Sequence, residues 1–161
     1  NPLPGFPDTA LEGAAFDVAA ILKREEGEQP SVIRDEMADV MEEHGGIFRD
    51  RARLSAGLEK IRGLKERYKG MALTDRGECY NSELLSVLEL GSMLDVSESI
   101  LLGALHREES RGSHSRTDFP ERNDADWLKH TIVSKDLATG GLNISYKPVT
   151  VTKFTPKARK Y

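Results

Sequence analysis

The sequence holds one cysteine, Cys79, in 161 residues. No intramolecular disulfide can form, and a reducing, cytosol-like compartment fits that usage better than secretion. No stretch approaches the ~18 consecutive apolar residues of a membrane-spanning helix. The longest apolar runs, such as Val18 to Leu22, are soon interrupted by charge, so a soluble chain is expected. The net charge of −4 disfavours a polyanion as the main partner. No G-x-G-x-x-G turn is present to bring backbone N–H groups against a pyrophosphate. Gly45-Gly46 and Gly140-Gly141 read instead as a helix stop and a hairpin turn. His44, His106, His114 and His130 lack the i,i+4 pairing or cysteine company of a metal site. Ser110 and Ser113 lie near His114, but nothing resembles a strained nucleophile elbow. The chain begins at Asn1 without the order of a signal peptide. The start is therefore expected to be a cut or processed end of something longer.

What the sequence does contain is helical periodicity. Pro2, Pro4, Gly5 and Pro7 make Asn1 to Asp8 an extended linker, followed by a short helix on Leu11, Ala14, Ala15, Val18, Ala19 and Leu22 that Gly27 and Pro30 stop. From Ser31, a candidate cap, Val32, Ile33, Met37, Val40 and Met41 define a helix that Gly45-Gly46 ends. Asp50 can cap a second helix with Leu54, Leu58, Ile61, Leu64 and Tyr68 on one stripe, closed by Gly70. After a loop around Thr74, Asp75 and Gly77, Asn81 can cap a third, longer helix through Leu84, Leu88, Val96, Ile100 and Leu105 towards Gly112, with Gly91 bending it or admitting a close neighbour.

Short connections force successive helices to run back alongside each other. The expected fold is mainly α: an antiparallel three-helix bundle of spectrin-repeat type over residues 30–122, with Val40, Leu58, Ile61 and Leu88 inside. Residues 1–29 form a linker and short helix leading from a preceding domain, and residues 123–161 a small β-hairpin and extended tail. In the hairpin Thr131 and Val133 share one side, Ile132 takes the other, and Leu142, Ile144 and Tyr146 alternate across the Gly140-Gly141 turn. Pro148 is tolerable only near an edge.

The densest chemistry is the run from His106 to Arg122. Arginines hold carboxylates by forked hydrogen bonds, so Arg107, Arg111 and Arg116 with Glu108, Glu109 and Asp118 can form a buried network or bind an anion. Composition leaves a solvated helix end equally open. Composition and periodicity also permit a free-standing helical adaptor that docks another protein through an apolar groove.

Across nearly its whole length, and in order, the chain resembles the C-terminal region of the flavoprotein subunits of succinate dehydrogenases and fumarate reductases. The residues that carry the resemblance are Arg34-Asp35-Glu36-Met37, Met41-Glu42-Glu43, Gly46-Ile47-Phe48-Arg49, Asn81, Leu84, Leu85, Glu89 and Leu90. The series continues with Arg107, Glu109-Ser110-Arg111-Gly112, His114 and Arg116, then Trp127-Leu128-Lys129-His130-Thr131 and Tyr146-Lys147-Pro148-Val149. The Glu-Ser-Arg-Gly stretch is shared with the related L-aspartate oxidases, whose matching domain is an alternative; the Lys-His-Thr and Tyr-x-Pro-Val stretches favour the succinate and fumarate enzymes. The resemblance implies a parent that interconverts succinate and fumarate, with its covalent FAD, dicarboxylate site and proton-delivering arginine in upstream domains. No catalytic, cofactor-binding or metal residue is transferred onto this chain. Its implied role is support, packed on its own flavin-binding domain and near the iron–sulfur subunit, in the cytoplasm or peripheral on the inner face of the membrane. Arg107, Glu109, Arg111, His114 and Arg116 are then interdomain docking candidates, with Arg111 and His114 facing the flavin domain.

Overall fold

The computed structural model describes residues 12, 17–136 and 138–157 of the chain. The expected linker from Asn1 to Asp8, and Leu11, Ala14 and Ala15 of the short helix after it, lie outside the described residues. Residues 17–22 are helical (α1). Ile21 reaches the hydrophobic core and Leu22 packs against it. The segment that follows is bound to the far end of the bundle: Arg24 Nη1 donates to Met71 O at 3.3 Å and Ala72 N to Glu28 O at 3.1 Å. A Cβ on Gly27 would lie 2.3 Å from Gly70 O, so only glycine permits this approach.

Three long helices follow, α2 (Pro30–Gly45), α3 (Arg51–Lys69) and α4 (Ser82–His106). Two of the three caps read from the sequence form as expected. Asp50 Oδ1 accepts from Arg53 N at 2.9 Å, and Asn81 Oδ1 accepts from Leu84 N at 2.7 Å. Ser31 does not cap α2. The helix begins two residues earlier than that cap would give, at Pro30 with Gln29 before it, because proline's fixed φ suits a first helical position and its missing N–H costs nothing there.

The three helices form the expected antiparallel bundle, with α3 packed against both neighbours. Ile33, Met37 and Val40 of α2 share the core with Leu54, Leu58, Ile61 and Leu64 of α3, the first four members of the stripe read from that helix. Tyr68, next on the stripe, is half-buried and donates its hydroxyl to Val87 O at 3.1 Å. Gly91 admits this neighbour, since a Cβ there would lie 2.7 Å from the Tyr68 oxygen.

Two expectations for α4 are corrected. Leu88, expected inside, is 40% exposed, as are Val96 and Ile100 of the same stripe at 57% and 44%; Val87, Leu90, Leu94 and Leu101 are buried instead. This helix has apolar side chains on nearly every side, so a 3.6-residue period fits more than one stripe and packing against α3 selects among them. The helix also stops at His106, short of Gly112, with Arg107 already extended at φ −85°, ψ 103°.

The β structure is small. β1 (Phe48–Arg49) pairs in parallel with β2 (Ser115–Arg116), a contact not anticipated from sequence, and α5 (Asp124–Trp127) is a single turn capped by Asn123. β3 (Lys129–Lys135) and β4 (Leu142–Pro148) form the expected antiparallel hairpin, in the register Thr131↔Tyr146 and Val133↔Ile144. Leu142 and Ile144 pack against the bundle core, and Lys135 Nζ pairs with Asp95 of α4 at 2.6 Å. Pro148 closes β4 at its end, where no further ladder bond is needed.

Candidate functional site

The loop after α4 folds back across the helix end through Ser110. Its N–H donates to Glu121 O at 3.0 Å and its hydroxyl to Phe119 O at 2.9 Å, while Arg116 N donates to Ser110 Oγ at 2.8 Å. Arg111 and His114 exchange backbone hydrogen bonds across a turn in which Gly112 takes φ +61°. Gly112 thus turns this loop and does not end the helix.

Arg116 explains why α4 ends where it does. Its side chain is fully buried, and its Nη1 donates to Ala104 O, Leu105 O and Arg107 O at 2.9, 3.0 and 3.1 Å. The last-turn carbonyls, orphaned in any helix, are satisfied by this guanidinium. The rest of the fork grips Asp118, with two bonds of 2.7 Å, and Asp118 also accepts from Arg51 N at 3.0 Å, tying the start of α3 to the end of α4. Arg116 holds the Asp118 carboxyl down at about 2.

Glu109 is the second anchor, with no exposed surface. It accepts from Arg107 Nη1 at 2.5 Å, from Arg111 Nε and Nη2 at 2.8 and 3.0 Å, and from Asn123 N at 2.9 Å. Burial pushes its carboxyl up, but the bonds from Arg111, Asn123 and Arg107 outweigh it and hold the group below the usual carboxylate range. Arg107 then stitches the hairpin to the bundle, donating to Trp127 O at 3.1 Å, Lys129 O at 2.6 Å and Thr131 Oγ1 at 3.1 Å. Arg111 reaches outward to Asp124 at 2.6 Å, and Arg122 grips the same carboxylate.

His114 sits between these anchors. Arg49 Nη1 donates to its Nδ1 at 3.0 Å while its Nε2 lies 3.3 Å from Arg107 O, a pattern that requires the neutral ring protonated on Nε2. Burial, with smaller contributions from the positive charges of Arg49, Arg116 and Arg107, lowers its pKa against the opposing bond to Arg107 O. A histidine whose folded pKa lies below its unfolded value contributes stability that is complete above about 6.5 and is lost as pH falls below it. The unfolding free energy is therefore expected to decline between pH 7 and 5. His114→Asn, which keeps an acceptor for Arg49, should flatten that decline, as read by urea denaturation at both pH values. Asp118 and its like titrate lower, so parallel slopes in the two proteins would contradict the account.

The five candidate residues are brought together around the end of α4. Beyond Glu109 the arginines pair with Asp118, one of the carboxylates read from the sequence, and with Asp124, in two Arg-x-Asp pairs, Arg116/Asp118 and Arg122/Asp124, whose recurrence six residues apart was the available signal. Arg49, the partner of His114, was legible only as part of the Gly-Ile-Phe-Arg stretch. Only the outer edge reaches the surface. The Arg111 side chain is 28% exposed and His114 partly so, beside Ile47 and Phe48, which are 63% and 68% exposed on β1. Within the cluster the Glu109 and Asp118 carboxylates are each held by arginines, and both ring nitrogens of His114 face partners. No helix among the described residues is long and apolar enough to cross a membrane.

Comparison with known proteins agrees with this architecture. A family model described as the fumarate reductase flavoprotein C-terminal region matches residues 34–161. A fumarate reductase flavoprotein subunit of Haemophilus influenzae is 44% identical over 157 residues, covering 95% of this chain and 26% of the relative. A succinate dehydrogenase flavoprotein subunit of Coxiella burnetii is 39% identical over 132 residues, covering 82% of this chain and 22% of the relative. Among solved structures, Escherichia coli quinol fumarate reductase superposes with a TM-score of 0.86 at 33% identity, over 96% of this chain and 27% of that one. The chain belongs to the family of C-terminal domains of the fumarate reductase and succinate dehydrogenase flavoprotein subunits. It spans about a quarter of the length of the curated relatives it matches.

Proposed function

We propose that this chain is the helical support domain of a FAD-dependent flavoprotein subunit that interconverts succinate and fumarate, packed on the flavin-binding part of the same subunit and lying near an iron–sulfur subunit. The observation that carries the reading is the family match across residues 34–161, joined to relatives that are named for both directions of the reaction. FAD supplies hydride transfer in such a parent. It belongs to the part of the subunit outside this chain, because Gly45-Gly46 stops α2 and Gly140-Gly141 turns the hairpin, and neither pair opens a helix towards a phosphate. The assembly sits in the cytoplasm or on the inner face of the membrane.

Within this reading, the edge of Arg111 and His114 faces the flavin-binding part, with exposed Ile47 and Phe48 beside it. Arg107, Glu109 and Arg116 hold that edge in place from behind. The chain alone should purify colourless and turn over neither succinate nor fumarate. Absorbance spectra of the 161-residue chain, with turnover assays on both dicarboxylates, test this division of labour. A stoichiometric flavin band in the isolated chain would refute it.

A further inference from the structure

Between the Glu109 loop and the start of the hairpin lies a cleft lined by hydrogen-bond donors and by no carboxylate. Arg107, Arg111, Trp127, Lys129, His130 and Thr131 surround most of its volume of about 470 Å³, room for a small ion and several waters at ~30 Å³ each. The Lys129 Nζ lies 4.4 Å from the centre of the Trp127 ring and 4.3 Å from that of Tyr146, and the two rings meet edge to face at 5.6 Å. Among the described residues no carboxylate pairs with this ammonium, so aromatic rings hold it in place while its charge stays unmatched. The surrounding cluster carries the same surplus. Arg107, Arg111, Arg122 and Lys129 bring four positive charges, and Glu109 and Asp124, the carboxylates that the arginines share, bring two negative ones. Donors remain as well. Arg111 commits Nε and Nη2 to Glu109 and Asp124, which leaves Nη1, and Thr131 Oγ1 accepts from Arg107, which leaves its own hydrogen.

We infer that this cleft binds a small dianion, a phosphate or a dicarboxylate, between Lys129 and Arg111. The unmatched charge of the cluster sets the charge of the ligand, and a guanidinium N–H, an ammonium and a hydroxyl suit its oxygens. The walls are already in place without it, because Arg107 fixes the Trp127 and Lys129 carbonyls at 3.1 and 2.6 Å, so little ordering is left to oppose binding. A polyanion would need a long stripe of such groups, on a chain whose net charge is −4.

Trp127 is the single tryptophan of the chain, so its fluorescence reports on the cleft. In titrations of the 161-residue chain at pH 8 and fixed ionic strength, phosphate or succinate should give a saturable change with a midpoint of about 1–10 mM. Acetate, with one charge, should need about tenfold more. A response to phosphate alone would identify a phosphoryl ligand, and a response to succinate alone a dicarboxylate. Lys129→Gln should weaken binding about tenfold or more, whereas Lys129→Arg, which keeps the charge, should retain most of it. Lys153→Gln, outside the cleft, should leave the midpoint within about twofold. Calorimetric titration of the same variants guards against a change in the reporter itself, and circular dichroism against misfolding. No saturable response to either dianion, an equal response to chloride, or a midpoint unmoved in folded Lys129→Gln would overturn the site.

Discussion

Arg116→Ala is expected to destabilise the chain by about 3–5 kcal/mol, as breaking a buried charge pair from one side does. The guanidinium has no exposed surface, and its removal strips hydrogen bonds from three carbonyls at the end of α4 and both bonds from Asp118. Asp118 would remain fixed to Arg51 N without its counter-charge, so the link between the ends of α3 and α4 loosens together with the cap. Arg116→Lys should recover little, because a single ammonium cannot reach the carbonyls and the carboxylate in one geometry. Chemical denaturation of the two variants checks both statements. A loss of about 1 kcal/mol or less for the alanine variant would mean that the network is a solvated helix end after all.

The second large effect concerns the core. Leu58→Ala should cost about 2–5 kcal/mol, since the side chain is 6% exposed and lies within the α3 stripe between α2 and α4. Leu88→Ala in the same chain should cost about 1 kcal/mol or less, because that side chain already faces outward. The pair separates the observed phase of α4 from the phase its periodicity first suggests. Equal losses for the two variants would restore Leu88 to the core and contradict the packing described.

α3 was legible because it is amphipathic: Leu54, Leu58, Ile61 and Leu64 are its one apolar stripe, and Asp50 and Gly70 mark its ends by chemistry that acts locally. α4 was not, for the opposite reason. With Leu85, Leu88, Met93, Val96 and Ile100 on one side and Val87, Leu90, Leu94 and Leu101 on the other, its sequence fixes a helix but leaves the inward face to its neighbours. Its end was misplaced because the stop signal is not the nearby Gly112 but the side chain of Arg116, which returns from a loop to take the last carbonyls. Such long-range capping leaves no local trace. The composition of the cluster and its Arg-x-Asp pairs were readable from the sequence, while the pairing of Arg111 with Asp124 and of Arg49 with His114 depended on proximity that only the fold creates. The parallel contact of β1 with β2 was hidden likewise, since two-residue strands have no period to detect.

The central claim is that this chain is one part of a flavin-bearing subunit, and the mass of the intact gene product tests it most directly. The account predicts a polypeptide about four times the length of this chain, by the share of its relatives that the chain covers, carrying one FAD and containing the Tyr-x-Pro-Val hairpin strand. A product confined to these 161 residues, free of flavin, would contradict it and favour a free-standing helical adaptor.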